Sequence, residues 1–382
     1  MPGMQPDCQP NTALYVICES LDNLMNIDFH ARGMVGRLYR AARERQGRPL
    51  TLAAASAIIH ACLGHRALGA GGRRARFALS TGFMIRSAGA PETDGLTGAA
   101  LLARGISAAT EALPVLLCEP AATQALAGAC RGAGLRVTEA TSADAVDVRA
   151  ALAAAEVIRC DCEGCAVMVP APMDWEEAHS VAGPFIDEVE PCLWLTIERP
   201  GRNRQGVHHN SWGKPMSDIT AKVDVLYAEA ARRGVRTVAI GDLGNELGMG
   251  ALTDVVAGCT PFGTKCVCGC GGGVAAADDA DVTVVGSVSD DVAYAVLAAL
   301  QAMNPEIPGI LADPESVERV LVGAVEAGAV DGITGRREPS IDMLPLSVHL
   351  SLATLMQAAV EVGTSHTRAR PEYLNHLAGE SP

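Results

Sequence analysis

Apolar residues recur at two different spacings along the chain, and each spacing predicts a different kind of structure. Within residues 20–46 the apolar side chains lie three and four positions apart among Arg and Glu residues, and segment 50–63 is apolar almost throughout. Such spacing predicts amphipathic helices, and Gly47 is typical of a helix end. The beginning of the chain is therefore predicted to be helical, without strands.

From Arg76 onwards, short apolar runs alternate with longer helical patterns. Strands separated by helices of about 10–15 residues are typical of βαβ units and a parallel sheet. The sequence therefore predicts an α/β fold, with a doubly wound, mainly parallel sheet of about six strands flanked by helices. The predicted strands are 77–84, 115–119, 136–140, 193–198, 235–242 and 281–286.

Helical patterns return after Pro305, at residues 313–328 and 345–362, and the tail from Thr364 is predicted to be loosely ordered. No internal repeat or low-complexity linker interrupts the chain, so both helical ends are expected to pack on the α/β body. The predicted organisation is a helical lead-in at 1–68, a Rossmann-like body carrying the site at 69–305, and a helical extension at 306–382.

The composition is that of a globular protein with an excess of acid. Of the 382 residues, 49% are hydrophobic and 19% are charged, and the net charge is −14. This charge argues against nucleic acid as a partner, because non-specific binding needs a basic face. A small anionic ligand stays compatible with it, because local arginine clusters reverse the field inside a cleft.

No apolar run is long enough to span a bilayer, so no membrane partner is expected. The 13 cysteines are odd in number and scattered, which is typical of reduced thiols in a cytoplasmic protein. Apolar helices at both ends of the chain leave a homodimer open.

Three segments after predicted strands are rich in glycine and charge. In open parallel sheets, ligands bind beyond the carboxyl ends of the strands. These segments are therefore the first candidates for a site. We call them the first loop (residues 81–95), the second loop (197–213) and the third loop (240–250).

The third loop combines Asp242 and Glu246 with Asn245 and with several glycines, among them Gly241 and Gly244. Glycine permits positive φ and a close approach of backbone to a ligand. The two acids are candidates for holding a divalent cation or moving protons, and the start of the predicted next helix suits an anion. The alternative is a tight turn with helix-capping Asp and Asn.

The second loop brings Glu198, Arg199, Arg202, His208 and His209 close in sequence. Arginines beside a strand end indicate bidentate recognition of a carboxylate or phosphate. Histidines are candidates for acid–base groups or metal ligands. The alternative is a solvated loop in which Glu198 and Arg199 pair with neighbouring residues.

The first loop carries Glu92, Thr93 and Asp94 just before a predicted helix. The two acids are candidates for metal ligands. Capping of that helix, by Asp94 or by Thr97, is the alternative interpretation.

Two groups of cysteines raise the question of a thiolate metal site. The spacing C-x-C-x-C also matches one face of a strand, and neither spacing is a strong zinc signature. We therefore expect reduced thiols and no metal bound by them. The groups are Cys160, Cys162 and Cys165, and Cys266, Cys268 and Cys270.

Three motifs in this order, PETDG with GAALLAR, IERPGRNRQGVHHNSWG and AIGDLGNELGMG, resemble the D-glutamate cyclase family. The resemblance is to the domain at the C-terminal end of the longer animal mitochondrial enzymes, and it covers nearly the whole chain. It implies a lyase that cyclises D-glutamate to 5-oxo-D-proline with loss of water, and hence a small anionic amino-acid-like substrate.

The motifs carry over Glu92, Thr93, Asp94, Glu198, Arg199, Gly201, Arg202, Asn203, Gly241, Asp242, Asn245 and Glu246. This chemistry needs a group that neutralises the attacked carboxylate and a base for the ammonium. The catalytic candidates are Asp242, Glu246, Glu198 and His208. The substrate-binding candidates are Arg199, Arg202, Asn203, Thr93, Asn245, Gly241 and Gly244. The candidates for a Mn²⁺ or Mg²⁺ ion, the one cofactor considered, are Glu92, Asp94 and Asp242.

The sequence departs from the family pattern at three places. Leu243 stands where the family has a second glycine, and His208 and His209 replace an aromatic pair. Residues 287–290 read SVSD, where the family has Ser-Asn-Trp-Gly. Two alternatives therefore stay open: an enzyme for another small acidic metabolite, and a non-catalytic anion-binding or sensor domain.

Overall fold

Strands and helices alternate through the middle of the chain. The computed structural model describes residues 13–67, 74–158 and 164–369. The strands in these residues are β1 (Arg76–Ser80), β2 (Met84–Ile85), β3 (Ala90–Pro91), β4 (Leu113–Cys118), β5 (Leu135–Glu139), β6 (Gly164–Pro170), β7 (Leu193–Ile197), β8 (Arg236–Gly241), β9 (Val282–Val285), β10 (Ser340–Ile341) and β11 (Leu344–Pro345).

Seven strands form one parallel sheet in the order β5-β6-β4-β1-β7-β8-β9. From β1 the chain first builds the side that starts with β4, and it then returns to build the other side from β7. The strand order therefore reverses between β1 and β7, as a doubly wound sheet requires. This confirms the predicted fold class.

The sheet has one strand more than the sequence predicted. Strand β6, GCAVMVP, was missed, although residues 165–169 are buried. A strand covered on both faces lacks the alternation of apolar and polar residues, and only a short apolar run remains to identify it.

Helices cover both faces of the sheet. They are α1 (Ala13–Met25), α2 (Val35–Gln46), α3 (Leu50–Ala67), α4 (Leu96–Thr110), α5 (Thr123–Gly132), α6 (Ala145–Ile158), α7 (Trp175–Val189), α8 (Val223–Arg232), α9 (Thr253–Cys259), α10 (Ser289–Met303), α11 (Pro314–Glu326) and α12 (Leu346–Ala369). Helices α6 to α8 pack on one side, and α3, α4, α5 and α10 pack on the other, with α1, α11 and α12 outside them.

The side chains of β1 show how the two cores are separated. Phe77 and Leu79 belong to the core under α3, α4 and α10, whereas Ala78 faces the core under α6 to α8, which contains Trp194. Successive side chains of a strand point to opposite faces. Residues 77–80 are fully buried, so both faces of this central strand are covered by protein.

Several helix boundaries agree with the sequence, and others differ from it. Helix α2 ends at Gln46, directly before Gly47, which was predicted to mark a helix end and has a left-handed backbone. The helix expected directly after Gly244 begins only at Thr253. Residues 364–369 continue α12, so the tail predicted to be loose from Thr364 is helical as far as Ala369.

The segment from Cys266 to Cys270 forms a loop, so its interpretation as one face of a strand was wrong. The alternation of cysteine with Val267 and Gly269 imitates a period of two, but the glycine turns the backbone out of the extended form at φ +81°. Cys160 and Cys162 lie outside the described residues.

Helix α12 is the one helix in the described part of the chain that passes a length-and-hydropathy test for a membrane span, over Leu346–His366. This is weak evidence, because an apolar helix of a folded core passes the same test. Ala353, Met356 and Val360 are buried in the core beside α1 and α10. The cytoplasmic location and the homodimer stay predictions.

Candidate active site

The first and second loops follow β1 and β7, the two strands between which the strand order reverses. The third loop follows β8, the next strand along the sheet. Two backbone hydrogen bonds fasten the second loop to the third: Leu247 N–H donates to the Arg199 carbonyl (2.7 Å), and Gly201 N–H donates to that of Asn245 (2.9 Å). The loops singled out from the sequence therefore meet at one edge of the sheet.

Three carboxylates lie together where these loops meet. Glu198, Asp242 and Glu246 each place one oxygen within 4.8 Å of the others, and all three residues are buried. Hard divalent cations such as Mg²⁺ and Mn²⁺ prefer oxygen ligands of this kind. We call these three residues the acidic triad.

Glu246 also shapes the third loop. Its side chain accepts hydrogen bonds from the backbone N–H groups of Asp242 (3.2 Å), Leu243 (3.0 Å) and Gly244 (2.6 Å). The sequence predicted that the start of a following helix would offer free N–H groups to an anion. In the structure, amides of the loop bind the chain's own carboxylate instead.

The glycines of the third loop are needed for close packing. Gly244 has φ +85°, and a Cβ there would lie 2.2 Å from Val256 Cγ2. A Cβ on Gly241 would lie 2.8 Å from Glu246 Cδ. Both were predicted to bind substrate, and the structure places Gly244 against α9 and Gly241 against Glu246 of the same loop.

Glu198 enters the triad from a strained backbone. Its φ is +40°, which is uncommon for a residue with a side chain, and such strain is concentrated at functional sites. Ser289 Oγ donates a hydrogen bond of 2.5 Å to Glu198 Oε2. Burial, and after it the carboxylates of Asp242 and Asp94, raise the pKa of Glu198 well above its usual range.

Asp94 lies just before α4 and binds the start of α10, whereas Asp290 lies at the start of α10 and binds the start of α4. Asp94 accepts from the N–H groups of Ser289 (3.3 Å) and Asp290 (2.9 Å), at the start of α10. Asp290 accepts from those of Gly95 (2.9 Å) and Gly98 (2.7 Å), at the start of α4. Burial raises the pKa of Asp94 well above its usual range and that of Asp290 to about 7.

Asp94 was a candidate metal ligand and, in the alternative interpretation, a cap of α4. The structure places its oxygens on backbone amides at the start of α10 and on Gly95 N–H, and outside the acidic triad. The SVSD segment supplies both Ser289 and Asp290, so it borders the site.

Glu92 lies in the cleft without a hydrogen bond from its side chain to any described residue. It is 6% exposed. Burial, followed by the charges of Asp342 and Asp242, raises its pKa well above the usual range. The neighbouring Thr93 donates through Oγ1 to the Ser340 carbonyl (2.7 Å), which ties the first loop to β10.

Arg32 and Asp342 complete the cleft, and neither was among the site residues predicted from the sequence. Arg32 lies between α1 and α2, and its guanidinium binds Asp242 (2.8 Å) and Asp342 (3.2 Å). Asp342 and Met343 form the tip of the β10–β11 hairpin with φ of +51° and +66°. The polar break DFHARG between helical patterns was the available signal for Arg32.

The arginines of the second loop bind protein groups. Arg199 is fully buried and forms an ion pair of 2.7 Å with Glu119; it also donates to three backbone carbonyls. Arg202 forms two hydrogen bonds with Asp278, of 3.0 and 3.1 Å. Both guanidinium groups thus pair with acids of the chain, while Arg199 Nε is buried without a partner. The role of the two arginines in binding substrate stays a prediction.

The two histidines of the second loop lie in different environments. His208 is buried, with Nε2 2.8 Å from Asp224 Oδ2 and Nδ1 3.2 Å from Ser217 Oγ, and its ring stacks on Trp175. Burial alone would raise the pKa of Asp224, but His208 lowers it below its usual value. His209 instead lies beside cysteines.

The two asparagines predicted to bind substrate hold loops in place. Asn203 Nδ2 donates to the Gly273 carbonyl (2.7 Å), and Asn245 Nδ2 donates to that of His209 (3.1 Å). The Oδ1 atom of Asn245 is buried without a partner, as are Thr81 Oγ1 on the first loop and Asp290 Oδ2 at the start of α10. Buried polar atoms are rarely left unsatisfied, so these atoms mark places for water or a ligand.

The described cleft is thus rich in carboxylates, with Arg32 as a cation at its side. Such a site suits a divalent cation, the ammonium group of a ligand, or proton transfer by carboxyl groups of raised pKa. Of the predicted metal ligands, Asp242 belongs to the acidic triad, while Glu92 and Asp94 lie beside it.

Comparisons with known proteins identify the family. The family described as D-glutamate cyclase-like, C-terminal, matches residues 21–357. The human protein "D-glutamate cyclase, mitochondrial" is 25% identical over 197 residues, which cover 45% of this chain and 30% of the human protein. The chain thus matches less than a third of that relative's length. With the family match extending over most of the chain, this protein belongs to the D-glutamate cyclase-like C-terminal family.

Proposed function

We propose that this protein is a lyase that cyclises an acidic amino acid with loss of water, and that D-glutamate is its substrate and 5-oxo-D-proline its product. The support for the reaction class is the family match together with the acidic cleft. The support for D-glutamate is the name of the human relative, which matches less than half of this chain.

The reaction sets clear requirements for proton transfer. The substrate amine attacks the γ-carboxyl carbon, a C–N bond forms, and one carboxyl oxygen leaves as water. Of the three ammonium protons, one stays on the lactam nitrogen and two depart with the leaving oxygen. The site must therefore accept protons from the substrate nitrogen and donate protons to the leaving oxygen. Carboxyl groups whose pKa lies near the working pH can act as the general base and the general acid in these steps.

Glu198 and Glu92 suit these two tasks. Burial and neighbouring acids raise the pKa of both groups, so a protonated and an ionised carboxyl group can coexist in one cleft, as the two roles require. We assign proton transfer to this pair, with Glu198 held in place by Ser289. Asp242 and Glu246 then define the floor of the cleft.

A carboxylate substrate needs positive charge in so acidic a cleft. The acidic triad fits a hard divalent cation such as Mn²⁺ or Mg²⁺, because its atoms are oxygens within 4.8 Å of one another. Asp242 and Glu246 would hold such an ion, which leaves Glu198 for proton transfer, and the ion would supply charge neutralisation at the attacked carboxyl group. The ammonium group of the substrate is attracted by the remaining carboxylates.

The observation that carries this proposal is the buried cluster of Glu198, Asp242 and Glu246 at the reversal of strand order. The test is to incubate the purified protein with D- and L-glutamate, with and without Mn²⁺ or Mg²⁺, and to follow 5-oxoproline by chromatography. We expect product from the D-isomer, and a loss of about 10²-fold or more in kcat/KM for Glu198→Gln.

Glu177→Gln is the matched control, because Glu177 is exposed on α7, and it should retain full activity. Absence of 5-oxoproline from both isomers under all metal conditions would refute the proposal. A rise in melting temperature on adding glutamate, without product, would favour a binding or sensor domain instead.

A second candidate is a related lyase for another small acidic substrate. The SVSD segment favours it, since Ser289 bonds Glu198 and Asp290 has one buried oxygen without a partner. The side chains that this segment brings to the cleft therefore differ in chemistry from those of the Ser-Asn-Trp-Gly pattern. Turnover of a different acidic amino acid, with no turnover of D-glutamate, would establish this alternative.

A further inference from the structure

Three cysteines and a histidine converge outside the acidic cleft. Cys266 Sγ lies 3.4 Å from Cys268 Sγ and 3.2 Å from Cys270 Sγ, and His209 Nε2 lies 3.1 Å from Cys268 Sγ and 3.9 Å from Cys270 Sγ. All four ligand atoms fall within 4.8 Å of one another. We call these residues the thiolate cluster.

These distances resemble those around a tetrahedral metal ion. With Zn–S bonds of about 2.3 Å, two sulfurs on one zinc are about 3.8 Å apart, and a sulfur and an imidazole nitrogen are about 3.5 Å apart. The cluster deviates from these values by a few tenths of an ångström. By contrast, Cys62 and Cys192 lie 3.7 Å apart as a simple pair of thiols, and the metal-ligand groups found in the described residues do not include them.

The backbone of the cysteine segment is folded so that alternate side chains meet. In an extended strand, residues two apart are separated by about 6.6 Å. Here Gly269 and Gly271 have φ of +81° and +76°, with nothing within 4 Å of a Cβ at either position. A side chain would therefore have room at both positions. Glycine is favoured there because the backbone is left-handed, and this backbone turns the cysteines inward.

Groups around the cluster direct N–H bonds at sulfur. Asn203 Nδ2 lies 3.3 Å from Cys270 Sγ, and Gly272 N–H donates to the same atom at 3.5 Å. Such outer hydrogen bonds are typical of metal ligands, since they orient the ligand and stabilise its charge. Cys266 is buried while Cys268 is exposed, so the cluster is close enough to the surface for an ion to enter.

We propose that Cys266, Cys268, Cys270 and His209 bind one zinc ion in a closed structural site. Three sulfurs and one imidazole nitrogen are a ligand set that zinc prefers, and four protein ligands leave no position for a substrate. The sequence had led us to expect no thiolate metal, in part because the cysteine spacing also matched one face of a strand, whereas the segment forms a loop.

Backbone hydrogen bonds near the thiolate cluster indicate what a bound ion would stabilise. Val267 N–H donates to the Gly213 carbonyl (3.0 Å), Ala277 N–H to that of Arg202 (2.9 Å), and Ala276 N–H to that of Gly244 (3.0 Å). The cysteine segment thus touches the second loop, and residues 276–277, a few positions after it, bond to the second and the third loop. A zinc ion would join His209 of the second loop to the cysteine segment without taking part in the reaction.

The experiment measures metal content, so it does not depend on catalytic activity. The full chain is purified under reducing conditions and analysed by elemental mass spectrometry. We expect about one zinc per chain, reduced at least tenfold in Cys266→Ser and in Cys268→Ser. Cys259→Ser is the matched control, because Cys259 lies on α9 outside the cluster, and its zinc content should equal that of the wild type.

A second measurement uses the wild type alone and so does not depend on whether the variants fold. The protein is stripped of metal with a chelator and titrated with Co²⁺. We expect the strong visible absorption of tetrahedral cobalt with thiolate ligands, saturating at about one ion per chain. Wild type that contains no zinc and gives no such absorption would overturn the proposal. Zinc retained by both variants would also overturn it, as would a disulfide within the cluster in the reduced preparation.

Discussion

Replacing Asp242 by Asn separates a role in chemistry from a role in folding. Asp242 is 3% exposed and binds Arg32, whose side chain is 21% exposed, at 2.8 Å. Breaking a fully buried pair costs about 3–5 kcal/mol when it strands a charge. Arg32 keeps its second partner, Asp342, at 3.2 Å, so the charge is not stranded and the loss is much smaller.

The substitution also removes repulsion. Burial, and after it the charge of Glu246, raises the pKa of Asp242 well above its usual range, although Arg32 opposes the shift. For each unit by which the pKa is raised, the ionised form of Asp242 destabilises the folded state by about 1.4 kcal/mol. Gain and loss therefore nearly cancel, and we expect the melting temperature to change by less than about 4 °C.

Activity should respond far more strongly than stability. With an amide in place of a carboxylate of the acidic triad, we expect kcat/KM to fall by about 10²-fold or more, equivalent to about 2.7 kcal/mol of transition-state stabilisation. The assay is 5-oxoproline formation from D-glutamate at saturating Mn²⁺ or Mg²⁺. Asp254→Asn, at an exposed position on α9, is the control and should retain wild-type activity.

The pH dependence supplies an independent test of the same reasoning. The pKa of Asp242 is higher in the folded state than in the unfolded state. At pH values between these two pKa values, Asp242 keeps its proton in the folded state and has lost it in the unfolded state. Folding stability therefore falls as pH rises through this window. The stability of Asp242→Asn relative to wild type should increase from acid to neutral pH in urea unfolding experiments. Full turnover by this variant, or a relative stability that decreases with pH, would refute the reasoning.

Three further outcomes are expected. Arg199→Ala leaves Glu119 as an unpaired buried charge, so the free energy of unfolding should fall by about 3–5 kcal/mol; a loss below 1 kcal/mol in denaturant titration would contradict the buried pair seen at 2.7 Å. Gly244→Ala should destabilise by more than about 1 kcal/mol because of the positive φ and the contact with Val256, and Val256→Ala in the same chain should recover only the steric part of that loss in thermal unfolding. Adding Mn²⁺ or Mg²⁺ at 100 times its dissociation constant should raise the free energy of unfolding by about 2.7 kcal/mol, and calorimetry showing no such increase would argue against a cation at the acidic triad.

Much of the arrangement could be predicted because parallel strands end at a common edge. Glu198 and Asp242 each follow a strand identified from its apolar run, and β7 and β8 are neighbours in the sheet. Their meeting follows from that geometry alone. Strand β6 was harder to predict, because a short buried run without alternation gives little periodicity to recognise.

Sequence patterns could not predict the contacts between distant parts of the chain. Arg32 meets Asp242 across 210 positions of sequence, and Asp342 across 310. Helix packing sets these meetings, and no local motif records them. The fold of the cysteine segment was misjudged for another reason: Gly269 between the cysteines argues against a strand, and that signal was outweighed by the period of two.

The ion pairs of Arg32 mean that the cleft belongs to no single segment of the chain. Asp242 comes from the α/β body, Arg32 from the helical lead-in and Asp342 from the C-terminal extension. A fragment restricted to the α/β body would keep every acid of the triad but lose the guanidinium beside Asp242. A cleft with this charge arrangement therefore needs the α/β body together with both helical ends.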